Sequence, residues 1–177
     1  MVSVIRSSGV LVALSALALV GGVSVSRNVQ ADDHNMCRPV HGRIHSLFTS
    51  TNCTSPVGLC TTGTIVGGGE LDSATTFLAL DVAPSAGLTG VEPASNLSYS
   101  GVLTINARRG DLVIHDLGVI DAGGLSFTEL ERPASGTGVF DNASHDFFIS
   151  GAITDNGAGF TGDIYGVLCS DTQSRDW

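Results

Sequence analysis

The sequence predicts an all-β protein: an eight-stranded antiparallel up-and-down β-barrel with little or no helix. Apolar and polar residues alternate with period two from about His41 to Cys169, and beyond the first 31 residues no stretch reads as a four-turn helix. Short turn signals separate the alternating runs, as at Gly67-Gly68-Gly69, Arg109-Gly110, Ala122-Gly123-Gly124 and Asp155-Asn156-Gly157. A meander of this kind leaves two open sheet edges, and closing into a barrel removes both.

The eight expected strands, in order, are His41–Thr49, Thr61–Gly67, Thr75–Val82, Leu97–Ala107, Asp111–Ile120, Leu125–Arg132, Asp146–Asp155 and Phe160–Cys169. Asn156-Gly157 is the strongest hairpin signal and Arg109-Gly110 the second. The longest connection, Ala83–Asn96, is rich in Pro, Ser and Gly and is long enough for a lid or rim loop. Asp111–Ile120 is apolar on both faces: Val113, His115, Leu117 and Val119 on one, Leu112, Ile114, Asp116 and Ile120 on the other. A barrel strand facing water alternates more cleanly. The outer face is therefore expected to be covered, by another subunit in a dimer or trimer, by a long loop or by the N-terminal segment.

The first 31 residues read as a signal peptide, with Arg6 as a minimal n-region, Leu11–Val20 as a short apolar h-region and Val29-Gln30-Ala31 as a cleavage site. The competing reading is a retained anchor, since the apolar stretch extends to Val25. Residues 32–177 then form one barrel domain, with its core over 38–169 and a polar tail over 170–177, and the protein is expected to be secreted or periplasmic. No other segment could cross a membrane as a helix.

Among 177 residues there are 8 Arg, no Lys and 17 Asp or Glu. That balance argues against nucleic acid and anionic membranes as partners and favours neutral or cationic ligands. The lack of Lys excludes a lysine Schiff base. There is no Ser/His/Asp elbow, Walker loop or HExxH helix, and no cofactor or resident metal is expected.

Four cysteines, Cys37, Cys53, Cys60 and Cys169, all follow the signal segment, and an even number in an exported chain suggests two disulfides. Three pairings are open. Cys53–Cys60 with Cys37–Cys169 is favoured, because a short loop joins the first two and a closed barrel makes the first and last strands neighbours.

Glu129 shares a strand face with Leu125, Phe127 and Glu131, which makes it a candidate inward carboxylate for general acid or base work. The plainer reading is a rim carboxylate paired with an Arg. Asp116 falls in register with Ile114 and Ile120. If that face is luminal, Asp116 and Glu129 come from adjacent strands and can form a polar pair that shares a proton. Alternatively Asp116 bonds backbone amides at a bulge beside Gly118. Tyr99, on a face with Leu97, Leu103 and Ile105, and Phe127 are candidate ligand contacts. His115 is a further ligand-contact candidate, although it points opposite to Asp116. His41, Arg43 and His45 share a face, but the two His lie about 13 Å apart at strand rise, too far for one metal.

Four stretches, His115–Val119, Ser126–Glu131, Gly136-Thr137-Gly138-Val139-Phe140 and Gly159–Gly162, resemble the allene-oxide-cyclase-like barrels, a group related to the dirigent proteins. The Arg-only, Gly-rich composition resembles that of exported bacterial members. The resemblance implies a calycin-like eight-stranded barrel and either a cyclase or isomerase or a member without catalysis. Three roles follow: a binding module for a small hydrophobic molecule, a cyclase or isomerase using Glu129 and Asp116, and an assembly protein with a filled barrel.

Overall fold

In the computed structural model of the chain the described residues are 35–85, 96–121 and 123–171. The signal-peptide reading of residues 1–31, most of the proposed rim loop (86–95) and the end of the polar tail (172–177) lie outside them. The chain divides into two units at Ala31/Asp32, and all described residues belong to the second.

Eight strands follow one another: β1 (Asn35–Phe48), β2 (Cys60–Val66), β3 (Ser73–Pro84), β4 (Asn96–Ala107), β5 (Gly110–Asp121), β6 (Ser126–Gly136), β7 (Phe147–Thr154) and β8 (Gly159–Asp171). Each pairs antiparallel with the next, and β8 returns to β1, so the sheet closes into a barrel. The helical content is three three-residue 3-10 turns, Gly69–Leu71, Gly138–Phe140 and Asp155–Gly157. The expected fold class is therefore the observed one. Asn156 and Gly157 both adopt positive φ, 56° and 88°, as the tight hairpin between β7 and β8 requires.

Most strand boundaries differ from the sequence expectation by one or two residues, β6 runs on four residues to Gly136, and two differences have a clear physical cause. β1 begins six residues earlier, because β8 runs alongside it from Asn35↔Asp171 to Leu47↔Gly159. Pro39 fits in this extension because β2 pairs only with Arg43–Phe48, so no second neighbour needs its missing N–H. Leu125 is not a strand residue on the face of Phe127: its φ of 53° places it in the turn, where it is exposed.

The two disulfides are Cys37–Cys169 and Cys53–Cys60. Cys37 and Cys169 are register partners across the β1–β8 seam. They staple the end of the barrel that is sealed. There Leu71, Val139 and Phe140 are buried with Leu112, Phe147 and Leu168. The Gly138 turn forms this plug by pressing backbone against the β4–β5 hairpin, with Val139 N–H donating to Arg109 O at 3.1 Å and Thr137 N–H to Asp111 O at 2.9 Å. Gly138 has φ 61°, and a Cβ there would meet Arg109 O at 2.1 Å, so only glycine fits.

On the outer wall, strand register aligns Leu117, Leu130, Phe148 and Tyr165 in one lateral row across β5–β8. Phe148 and Tyr165 stack at 5.7 Å. Leu117 is 60 % exposed and Val119 46 %, so no described segment of the chain covers the apolar outer face of β5.

Candidate functional site

Among the described residues the opposite end of the barrel is open. It contains a cavity of about 230 Å³ between the ends of all eight strands. Four Phe rings, Phe48, Phe77, Phe127 and Phe160, line it together with aliphatic side chains such as Leu97 and Ile120. Phe127 and Phe160 meet edge to face at 5.1 Å, and Phe77 meets Tyr99 in the same manner at 6.3 Å. One rim segment is the Cys53–Cys60 loop, which contributes Leu59. Ser55 fixes that loop to β3: its hydroxyl donates to Ala79 O at 2.6 Å and accepts from Leu59 N–H at 3.1 Å. A bulge after Ala79 resets the alternation of β3, which returns Val82 to the cavity wall.

Polar chemistry begins at the floor. Tyr99 on β4 donates its hydroxyl to Glu129 Oε1 on β6 at 2.5 Å. The two strands are separated by β5, so the ring must lie across it. It does so over Gly118, the register partner of both residues, where a Cβ would stand 2.2 Å from the Tyr99 ring. The glycine of β5 thus creates the Tyr99–Glu129 contact. The bulge of the β5–β6 pair falls at Val113/Ile114, away from Gly118, which removes the reading of Asp116 as a bulge residue.

Asp116 and Glu131 are register partners beneath this pair, and their carboxylate oxygens and one of Glu129 lie within 4.8 Å of one another. Asp116 is 4 % exposed, Glu129 7 % and Glu131 0 %. Asp116 Oδ1 and both oxygens of Glu131 make no hydrogen bond. Glu131 and Glu129 act directly on one another, the Glu131 carboxyl lowering the pKa of Glu129 and having its own raised in turn. The arginines work elsewhere: Arg38 and Arg109 pair with Glu70, Arg43 with Asp163 and Arg132 with Asp146. Glu129 is therefore not the Arg-paired rim carboxylate that the sequence also allowed.

Burial dominates the electrostatics. Loss of hydration, then the Glu129 charge, pushes the Asp116 carboxyl up to about 9. Loss of hydration raises Glu129 to about 7, against the opposing pull of the Tyr99 hydrogen bond. Glu131 is pushed well above the ordinary range by burial first and by the Asp116 and Glu129 charges second. The Tyr99 hydroxyl is held protonated, again mainly by burial and then by Glu129. The floor thus stores protons near neutral pH, and Glu129, alone among the three acids, lines the cavity.

The structure brings together four of the five candidate residues: Glu129, Asp116, Tyr99 and Phe127. The fifth, His115, is a correction. It lies exposed on the outer wall opposite Val102 and Arg132, because alternation turns it away from Asp116, and it cannot line the cup. His41, Arg43 and His45 are likewise exposed on the outside. Glu131 shares the inward face of Glu129 and joins the site without being a sequence candidate. The run Phe127-x-Glu129-x-Glu131 on one face, opposite Asp116, is the signal that marks it. A second polar cluster lies at the sealed end, where His145 Nδ1 is 2.9 Å from Cys169 Sγ of the seam disulfide.

Neither the protein-family models nor the curated proteins nor the solved structures contain a match to this chain.

Proposed function

We propose that this chain is an exported barrel that holds a small hydrophobic molecule in its open end. The observation that carries the reading is the cavity of about 230 Å³ walled by Phe and aliphatic side chains, with its few polar groups gathered at the floor. A concave apolar site with a few convergent polar groups is the usual form of a small-molecule pocket. The two disulfides fit an oxidising compartment outside the cytoplasm. The closed eight-stranded topology is the fold that a resemblance to the allene-oxide-cyclase-like barrels implies. The test is calorimetric titration of the folded protein with ethylbenzene. Binding is expected in the wild type and is lost in Val82→Trp, whose indole fills the cavity. A wild type that takes up no apolar probe contradicts the reading.

One observation favours a second reading, a cyclase or isomerase. Glu129 faces the cavity, is buried, and is held by Tyr99, which suits a general acid or base acting on a confined substrate. Glu129→Gln then abolishes turnover while apolar ligands still bind; unchanged turnover removes this role. We also propose that the Leu117–Tyr165 row is an interface between copies of the chain, which would cover the apolar outer face of β5. Sedimentation is expected to show a dimer or trimer that Leu117→Glu dissociates, whereas a wild type that stays monomeric contradicts it.

A further inference from the structure

Among the described residues the acids of the floor pair with no cation. An acid cluster within a barrel is normally matched by Arg, Lys or backbone amides, since an uncompensated buried charge is costly. Here Glu131 is fully buried and its oxygens meet no arginine, backbone amide or hydroxyl, only the neighbouring carboxyls, and Asp116 Oδ1 is buried beside it without a hydrogen bond. Both point into the cluster that begins at Glu129. Above Glu129 is a cavity of about 230 Å³, far larger than a bare ion needs, and its walls carry Phe48, Phe77, Phe127 and Phe160. Aromatic faces attract organic cations, most strongly where water is excluded. A metal ion would have to exchange its water for these hydrocarbon walls. An organic ammonium ion brings its own apolar body to fill them. The chain as a whole carries a formal net charge of −9, which draws cations towards it.

We propose that the cup selects small apolar amines, bound as ammonium ions with the nitrogen against Glu129 and the hydrocarbon body among the Phe rings. This inference rests on the ligand-binding reading and names the class of ligand. The proton balance is simple. A cluster carrying a shared proton meets an ammonium ion, the ion pair forms, and one proton leaves to solvent. An amine arriving as the free base instead takes that proton and none is released. Among the described residues, the titratable side chains facing the cup or its floor are Tyr99 from β4, Asp116 from β5, and Glu129 and Glu131 from β6. The facing residues of β7 and β8, such as Phe147, Ile149 and Ile164, are apolar.

The test is calorimetry on the folded, disulfide-bonded protein at neutral pH, with phenethylamine and its neutral counterpart phenethyl alcohol. Two buffers of different ionisation enthalpy report proton release. The amine is expected to bind at least about tenfold more tightly than the alcohol, with net release of a fraction of a proton that grows as the pH is lowered. Glu129→Gln is expected to abolish that preference while alcohol binding persists. Equal affinity for both probes overturns the amine selectivity and leaves the hydrophobic cup in place. No binding of either probe overturns both readings. Amine preference without proton release, or preference that survives in Glu129→Gln, overturns the assignment to the acid cluster. The wild-type comparison decides the selectivity even where the variant does not fold.

Discussion

The two ends of this barrel are built from the same strands and do opposite things. At the sealed end, Phe140, Phe147, Leu112 and Leu71 fill the lumen, the Gly138 turn closes it, and Cys37–Cys169 fixes the seam. At the open end the rings meet edge to face around a cavity that remains unfilled, and the floor beneath it carries three acids. The sealed end carries the packing that stabilises the barrel, and that surplus lets the open end keep unfilled space and unpartnered carboxyls. A small domain has little stability to spare, so such a division of labour is a physical necessity.

The largest difference expected between the ends is in packing. Phe140 is 0 % exposed in the plug, whereas Phe48 is 37 % exposed at the rim. Phe140→Ala is expected to lower stability by about 3–5 kcal/mol, as read from denaturant midpoints. Phe48→Ala should cost about 0.5–1 kcal/mol or less. Similar costs at both positions would remove the distinction between a filled and an unfilled end.

Next comes the contrast between the disulfides. Cys37–Cys169 spans 132 residues and Cys53–Cys60 spans 7. On the chain-entropy account, losing the first costs about 5 kcal/mol and losing the second about 2.5 kcal/mol. Paired Cys→Ala variants, compared by thermal unfolding, sharpen the assignment of stability to the seam. A larger loss from the rim pair would reverse it.

Third is the pH dependence set by the floor. The raised values of Asp116, Glu129 and Glu131 mean that the native state holds protons that the unfolded chain has released. The contribution of Asp116 and Glu129 to stability is then fully present below about pH 4 and is lost as pH rises through about 7 and 9, and Glu131 acts in the same direction. Glu131→Gln is expected to flatten this decline and to raise stability at pH 8 by about 1–3 kcal/mol. Stability that climbs from pH 4 to 8 would mean that the acids are compensated after all.

The closed fold was legible because its determinants are local: alternation, the Asn156-Gly157 hairpin, and cysteines placed near the start of the first strand and near the end of the last. What could not be read locally was misplaced. The Arg38-Pro39 stretch lacks a strand pattern and becomes strand because β8 runs beside it. Leu125 obeys the alternation but sits in a turn of positive φ. At the site, the faces of Asp116, Glu129 and Tyr99 followed from period two. That Tyr99 would reach Glu129 across a third strand did not, because it depends on the missing side chain of Gly118. His115 attracted notice as a reactive type, and the same periodicity places it outside.

The most direct test of a barrel sealed at one end and receptive at the other is nuclear magnetic resonance with ethylbenzene titrated into the folded protein. Ring and methyl signals of Phe77, Phe127, Ile120 and Ile153 should shift, while those of Phe140, Leu112 and Ile114 stay still. Shifts that spread along the outer wall, or no shifts at saturating probe, would contradict a luminal cup.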